Sequence, residues 1–165
     1  MIQDVILTMI QYFKTDVRRI NHALKVYGFA SAIAKSENIS AEILEIVEVA
    51  AVLHDIGIPE SEKKYNSSAG KYQEIEGPPI ARKMLETLNV KPEIIDRVCF
   101  IIGNHHTYTK IDGVDFQILV EADFLVNIFE DEFTESMIKS VGQKYFSTKA
   151  GLLYLQTMYA DVADC

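Results

Sequence analysis

Residues 50–60, "AAVLHDIGIPE", run small and apolar side chains straight into His54 and Asp55, then break at Gly57 and Pro59. Upstream, "AEILEIVEVAAVL" has helical spacing, with Ser40 placed to cap its start and Gly57 to stop it. Val47 and Ala51 lie seven and three residues before His54, so His54 shares their inward face. An imidazole and a carboxylate at the end of a buried helix are unfavourable unless something binds them.

The same periodicity extends through nearly the whole chain, and no segment alternates as a strand would. Residues 2–14 place Ile2, Ile6, Met9, Ile10 and Phe13 on one stripe. Asp16 offers an N-cap for a second helix ending near Asn38, with Val17, Leu24, Phe29 and Ile33 among its apolar positions. Residues 58–71, "IPESEKKYNSSAGK", read as a loop rich in Ser, Gly and charge. A fourth helix is expected after Pro78-Pro79, running to about Asn89, and Pro92 opens a fifth, "PEIIDRVCFIIGNHH". "TYTKIDGVD" reads as a second loop and Asp115 as the cap of a sixth helix. One or two amphipathic helices finish the chain, the last around "STKAGLLYLQTMYADVA". With no repeat, low-complexity tract or linker, the expectation is one all-α bundle over residues 1–165.

At 165 residues the chain suits one sizeable core, and 48% apolar with 24% charged residues is ordinary for a globular protein. A formal net charge of −8 argues against a nucleic-acid polymer or a membrane as partner, because both select a basic face. A small phosphorylated substrate remains compatible where positive charge is gathered locally. Cys99, inside "VCFII", and Cys165, the last residue, form no disulfide or zinc-ribbon spacing. That usage fits a reducing compartment, and the first residues carry neither a basic leader nor a spanning apolar run. The expected location is therefore cytoplasmic. Homodimer formation stays open.

Metal-type side chains interrupt other apolar faces as well. His22 has Val26, Phe29 and Ile33 at i+4, i+7 and i+11; Asp123 sits among Leu119, Val120, Val126 and Ile128; His105 and His106 end the fifth helix. Any one of these has an ordinary explanation, such as a core histidine bonded to backbone or an acid capping a neighbouring helix. Together they point to a shared site, since all four histidines of the chain fall at such positions.

The order His22, then His54-Asp55, then Asp123 on successive helices resembles the HD domain of metal-dependent phosphohydrolases, whose central motif takes the form "LHDIG". The resemblance covers roughly residues 16–130 and implies a metal held by His22, His54, Asp55 and Asp123. "GNHHT" is similar to the paired histidines of HD-GYP cyclic-dinucleotide phosphodiesterases and to the "HT" of HD-type diadenosine tetraphosphate hydrolases. In those branches one or both histidines, here His105 and His106, bind a second metal. "EIEGPPIARKML" is similar to the "HGPxGA" segment of the latter branch, with Glu76 where that branch has a histidine ligand. Glu76 reads equally as a ligand for a harder cation or as an acidic residue near a helix N-terminus. No GYP follows the His pair, and the "ED" pair of ppGpp hydrolases is absent from Ile56-Gly57-Ile58-Pro59-Glu60.

The resemblance implies water attack on phosphorus in a small phosphorylated metabolite or nucleotide, by a phosphomonoesterase or phosphodiesterase. Imidazole and carboxylate ligands suit Mn, Fe, Co, Ni or Zn, with one metal expected and a second open. Asp55 would anchor the cation and orient the water. Arg18, one turn before His22, is the first candidate for stabilising charge on the phosphate, ahead of Lys63, Lys64, Lys71 and Arg82. Two alternatives belong to other classes: an HD-type di-iron oxygenase, which needs Glu76 and at least one of His105 and His106, and a non-catalytic module sensing nucleotide or metal. The two consecutive histidines can share a site only where their helix ends, and Gly103 with the following loop suggests that end. Residues 58–75 are expected to border the pocket and move when substrate binds.

Overall fold

A helix segment that is apolar on every side has to be surrounded, and the C-terminal part of α3 (Ala41–Leu53), from Val49 on, is such a segment. Residues Ile46, Val47 and Val49 through Leu53 are all buried. In the computed structural model, which describes residues 1–160, α3 packs against α1 (Ile2–Phe13), α2 (Val17–Ser36), α6 (Pro92–Ile102) and α7 (Val114–Glu130). Flanking this core are α4 (Ile58–Tyr65) and α5 (Gly70–Thr87), while α8 (Glu135–Tyr145) and α9 (Lys149–Met158) pack on α7. Among the described residues there are nine α-helices, a 3-10 turn at Tyr108–Lys110 and no strand, so the fold is all-α as the periodicity predicts.

Polar residues at the helix ends set the boundaries. Asp16, Ser40, Thr134 and Thr148 each accept a backbone N–H of the first turn they cap. Asn38, Asn66 and Asn89 follow three helices with φ of 54°, 50° and 55°, the left-handed conformation that asparagine tolerates. Inward faces differ slightly from the expected stripes: α1 buries Val5, Met9 and Phe13, and Val17 of α2 is exposed.

The structure corrects three expectations. Residues 58–65 form a helix, where the sequence reads as a loop. α4 is short and mostly exposed, so it shows little apolar period, and Glu60 supports it by pairing with Lys63 and Lys64 one turn on. Only residues 66–69 connect it to α5, so most of the expected loop 58–75 is helical.

Second, Pro78 and Pro79 lie inside α5 instead of preceding it. Each removes an intrahelical N–H, but the helix gains from burying Gln73, Glu76, Gly77, Ala81 and Leu85. That packing brings α5 against the HD turn so closely that a Cβ on Gly57 would lie 2.7 Å from both Gln73 O and Gly77 N. Third, α7 begins at Val114, and Asp115 accepts two bonds from the Arg97 guanidinium of α6, both at 2.7 Å. Cys99 is buried, and Cys165 lies outside the described residues. No described helix is long and apolar enough to cross a membrane.

Candidate metal centre

His22 projects from the second turn of α2, His54 and Asp55 follow the last turn of α3, Asp123 comes from the middle of α7, and His105 and His106 lie just past α6. They gather in two groups. One ligand atom each from His22, His54 and Asp123 lies within 4.8 Å of the others, and the same holds for Asp55, His105 and His106. Asp55 joins the groups: its Oδ2 is 3.6 Å from His22 Nε2 and 3.5 Å from His54 Nε2, while Oδ1 is 3.6 Å from His105 Nε2.

The outer ring nitrogens decide what the inner ones offer. His54 Nδ1 donates to Ala51 O at 2.9 Å and His105 Nδ1 donates to Ile102 O at 2.7 Å. A carbonyl oxygen only accepts, so each of these rings carries a proton on Nδ1. His22 Nδ1 donates to Glu130 Oε2 at 2.8 Å. In the neutral rings all three Nε2 atoms then present lone pairs to one space, with His22 and His54 Nε2 only 3.2 Å apart. Asp123 Oδ1 is 3.2 Å from the first and 3.6 Å from the second. His105 Nε2 is buried with no hydrogen-bond partner among the described residues. Lone pairs and carboxylate oxygens packed this way repel unless positive charge stands between them, and a divalent cation supplies it. The donor set fits a metal ion.

Protons answer the same demand in its absence. Burial disfavours the charged form of His54, yet Asp55 and Asp123 outweigh it and lift the ring to about 9. His22 is likewise raised against burial, chiefly by Asp123. Burial pushes Asp55 and Asp123 up, but the facing imidazoles hold both below the usual carboxylate range. His106 moves the other way, to about 4, because burial and the neighbouring His105 disfavour a second charge.

Glu76 stands apart from both groups. Its carboxylate accepts from Lys64 Nζ at 2.7 Å and from the Tyr65 hydroxyl at 2.9 Å, and it borders a separate cavity lined by α1, α4 and α5. The weaker cation candidates also face elsewhere: Lys63 and Lys64 toward Glu60, Arg82 toward Asp96, and Lys71 over the Tyr72 ring. Arg18 shares a cleft of about 490 Å³ with two of the candidate ligands, His22 and Asp55, and with Ser68, Asn127 and Asp131. It makes no ion pair among the described residues.

Two acidic residues that the sequence reading passed over support the ligands. Glu130 holds His22 Nδ1 with one oxygen and Lys25 with the other. It lies two turns beyond Asp123 on the same helix face, a spacing that could have disclosed it. Glu74 accepts from the His106 N–H at 3.0 Å and from the Thr107 hydroxyl at 2.9 Å, pinning the turn that carries both histidines. No motif marks Glu74, because its partners are remote in sequence.

The HD domain family model matches residues 19–153, and the chain belongs to that family. A solved structure described as a "predicted HD superfamily hydrolase", from an uncultured Thermotogales bacterium, is similar at a TM-score of 0.71. The two chains are 20% identical over 98% of this one and 87% of the other, a level at which the likeness concerns fold. No curated protein matches the chain in sequence.

Proposed function

We propose that the protein is a metal-dependent phosphohydrolase acting on a small phosphorylated metabolite or nucleotide. The observation that carries this is the convergence of three Nε2 lone pairs on Asp55 and Asp123 beside a cleft holding Arg18. A divalent transition metal (Mn, Fe, Co, Ni or Zn) bound there supplies Lewis acidity and lowers the pKa of a water. Asp55, with one oxygen toward each ligand group, orients that water. Arg18 draws the phosphoryl group into the cleft and offsets charge developing on its oxygens. Glu130 and the two backbone carbonyls hold the rings so that little reorganisation accompanies binding.

A second reading, a di-iron oxygenase, draws on the Asp55, His105 and His106 group, which offers three donors next to the first three. It relied on Glu76 as a further ligand, and Glu76 is engaged by Lys64 and Tyr65. A module that only senses metal or nucleotide would keep the ligands without turnover. Metal-reconstituted protein screened against phosphomonoesters, dinucleotides and nucleotides decides among them. Hydrolysis by the metal-loaded protein is expected, releasing phosphate from a monoester or a phosphomonoester from a dinucleotide. A mixed-valent EPR signal with no hydrolysis would support the oxygenase, and metal binding with neither would support the sensor.

A further inference from the structure

We propose that the cleft beside the ligands selects small polyhydroxylated phosphate monoesters over nucleotides and polyphosphates. The inference rests on the phosphohydrolase reading above and narrows its substrate.

Charge counts the phosphates. Arg18 and Arg19 are the cations of this cleft, but Arg19 is held by Asp16 and by Glu62, both at 2.6 Å. Arg18 is left as the one arginine there without an ion pair among the described residues, enough for a single phosphoryl group shared with the metal site. A di- or triphosphate would place its further charges against the carboxylates that line the rest of the cleft, where they repel.

The wall chemistry then describes the alcohol. Ile58 is the single apolar side chain among the described lining residues, and no Phe, Tyr or Trp lines the cleft. Its one ring, His22, is held edge-on by Glu130 and Asp123, so a nucleobase finds neither a broad stacking platform nor an apolar slot. What the cleft offers instead is acceptors. Asp131, exposed, opens onto it, with Asn127 and Ser68 nearby; carboxylates accept hydrogen bonds from vicinal hydroxyls. Asp131 is also the residue that ends α7, within the acidic run Glu130, Asp131, Glu132. Negative charge at a helix C-terminus opposes the helix dipole, so local stability does not account for this run. Glu130 is explained by His22; Asp131 has no such partner among the described residues and faces the cleft.

In the reaction, the oxygen of water bonds to phosphorus and the ester P–O bond breaks with its electron pair on the departing oxygen. A proton from the water ends on that oxygen, releasing the polyol and inorganic phosphate.

The test is phosphate release by the metal-loaded full chain from glycerol phosphate, pentose and hexose monophosphates, nucleoside mono- and triphosphates, phosphoethanolamine and an aryl phosphate. The expected result is a kcat/KM at least tenfold higher for one of the polyol monophosphates than for any nucleotide. In addition, Asp131→Asn should raise KM for that substrate about tenfold with a much smaller change in kcat. Nucleotides or phosphoethanolamine hydrolysed as well or better would overturn the substrate inference alone, as would aryl phosphate turnover without polyol preference. Equal KM in wild type and Asp131→Asn would remove Asp131 from it. No phosphate from any of these esters would overturn the inference, and if dinucleotides and other diesters are also left uncleaved with metal bound, the phosphohydrolase reading falls with it.

Discussion

The two halves of the ligand cluster are held by different kinds of structure. His22 and Asp123 stand on α2 and α7 and His54 directly follows α3, three mutually packed helices at the middle of the core. Asp55 shares with His54 the turn packed on α5, whereas His105 and His106 stand on the turn after α6, which is tied down by side chains: Glu74 on the His106–Thr107 segment, and Arg97 clasping Asp112 and Asp115 where the segment rejoins α7. Helix packing places the first half, and Glu130, on one of the same helices, fixes the His22 ring. The second depends on a few polar contacts that can be removed one at a time, so it is the part expected to loosen first.

The largest effect should come from the first half. His54→Ala or Asp123→Ala removes a donor from a rigid set, and metal affinity should fall about a hundredfold or more, roughly 2.7 kcal/mol. Calorimetric titration of metal into apo-protein measures it, and affinity within a few-fold of wild type would mean these residues do not ligate. Next, Glu130→Gln keeps the shape but weakens the hold on His22 Nδ1; a loss of about tenfold in metal affinity is expected, in the range seen when outer-shell partners are changed. The same titration should show no such loss for Lys25→Met, since Lys25 touches Glu130 on its other oxygen and at the surface.

The second half is probed through its ties. Arg97→Ala strips the partner from Asp115, a buried carboxylate, and about 2 kcal/mol of stability should be lost, given partial exposure of the guanidinium. Hydrogen exchange should rise across residues 103–113 more than across α2 or α3. Uniform exchange across the molecule would deny that the two halves are held differently. Glu74→Ala should release the same turn and lower the metal stoichiometry or the affinity of its weaker step, leaving the stronger step intact.

The smallest effect is expected at Glu76. Glu76→Ala should leave metal stoichiometry unchanged, because the carboxylate is spent on Lys64 and Tyr65; a fall from two metals to one would restore it as a ligand. Its contribution is to stability and carries a pH signature. The Lys64 ammonium, with the Tyr65 hydroxyl, holds the Glu76 carboxyl below its ordinary value. The advantage of wild type over Glu76→Gln should therefore be full at neutral pH, begin to fade near the ordinary glutamate value of about 4.3, and be lost as the pH falls through the lowered one. Thermal melts of both proteins across that range check the sign.

The all-α architecture was legible in the amino-acid sequence alone, because the apolar period of α1 and α6 is strong and local. The sequence also singled out residues of the candidate site: His22, His54 and Asp123 are polar interruptions of apolar faces, visible without knowing what they face, and the HD resemblance adds Asp55. Tertiary structure decided the rest. α4 is a helix and Pro78-Pro79 stay within α5 because of packing against the HD turn, a gain that no window of sequence contains. Glu74, Glu76 and Glu130 are the same kind of residue, two of them separated by a single position. One anchors the His pair, one pairs with Lys64 and one orients His22. An acidic side chain is flexible and takes its role from whichever partner the fold brings within about 3 Å, so its neighbours in space, which lie far off in sequence, assign it.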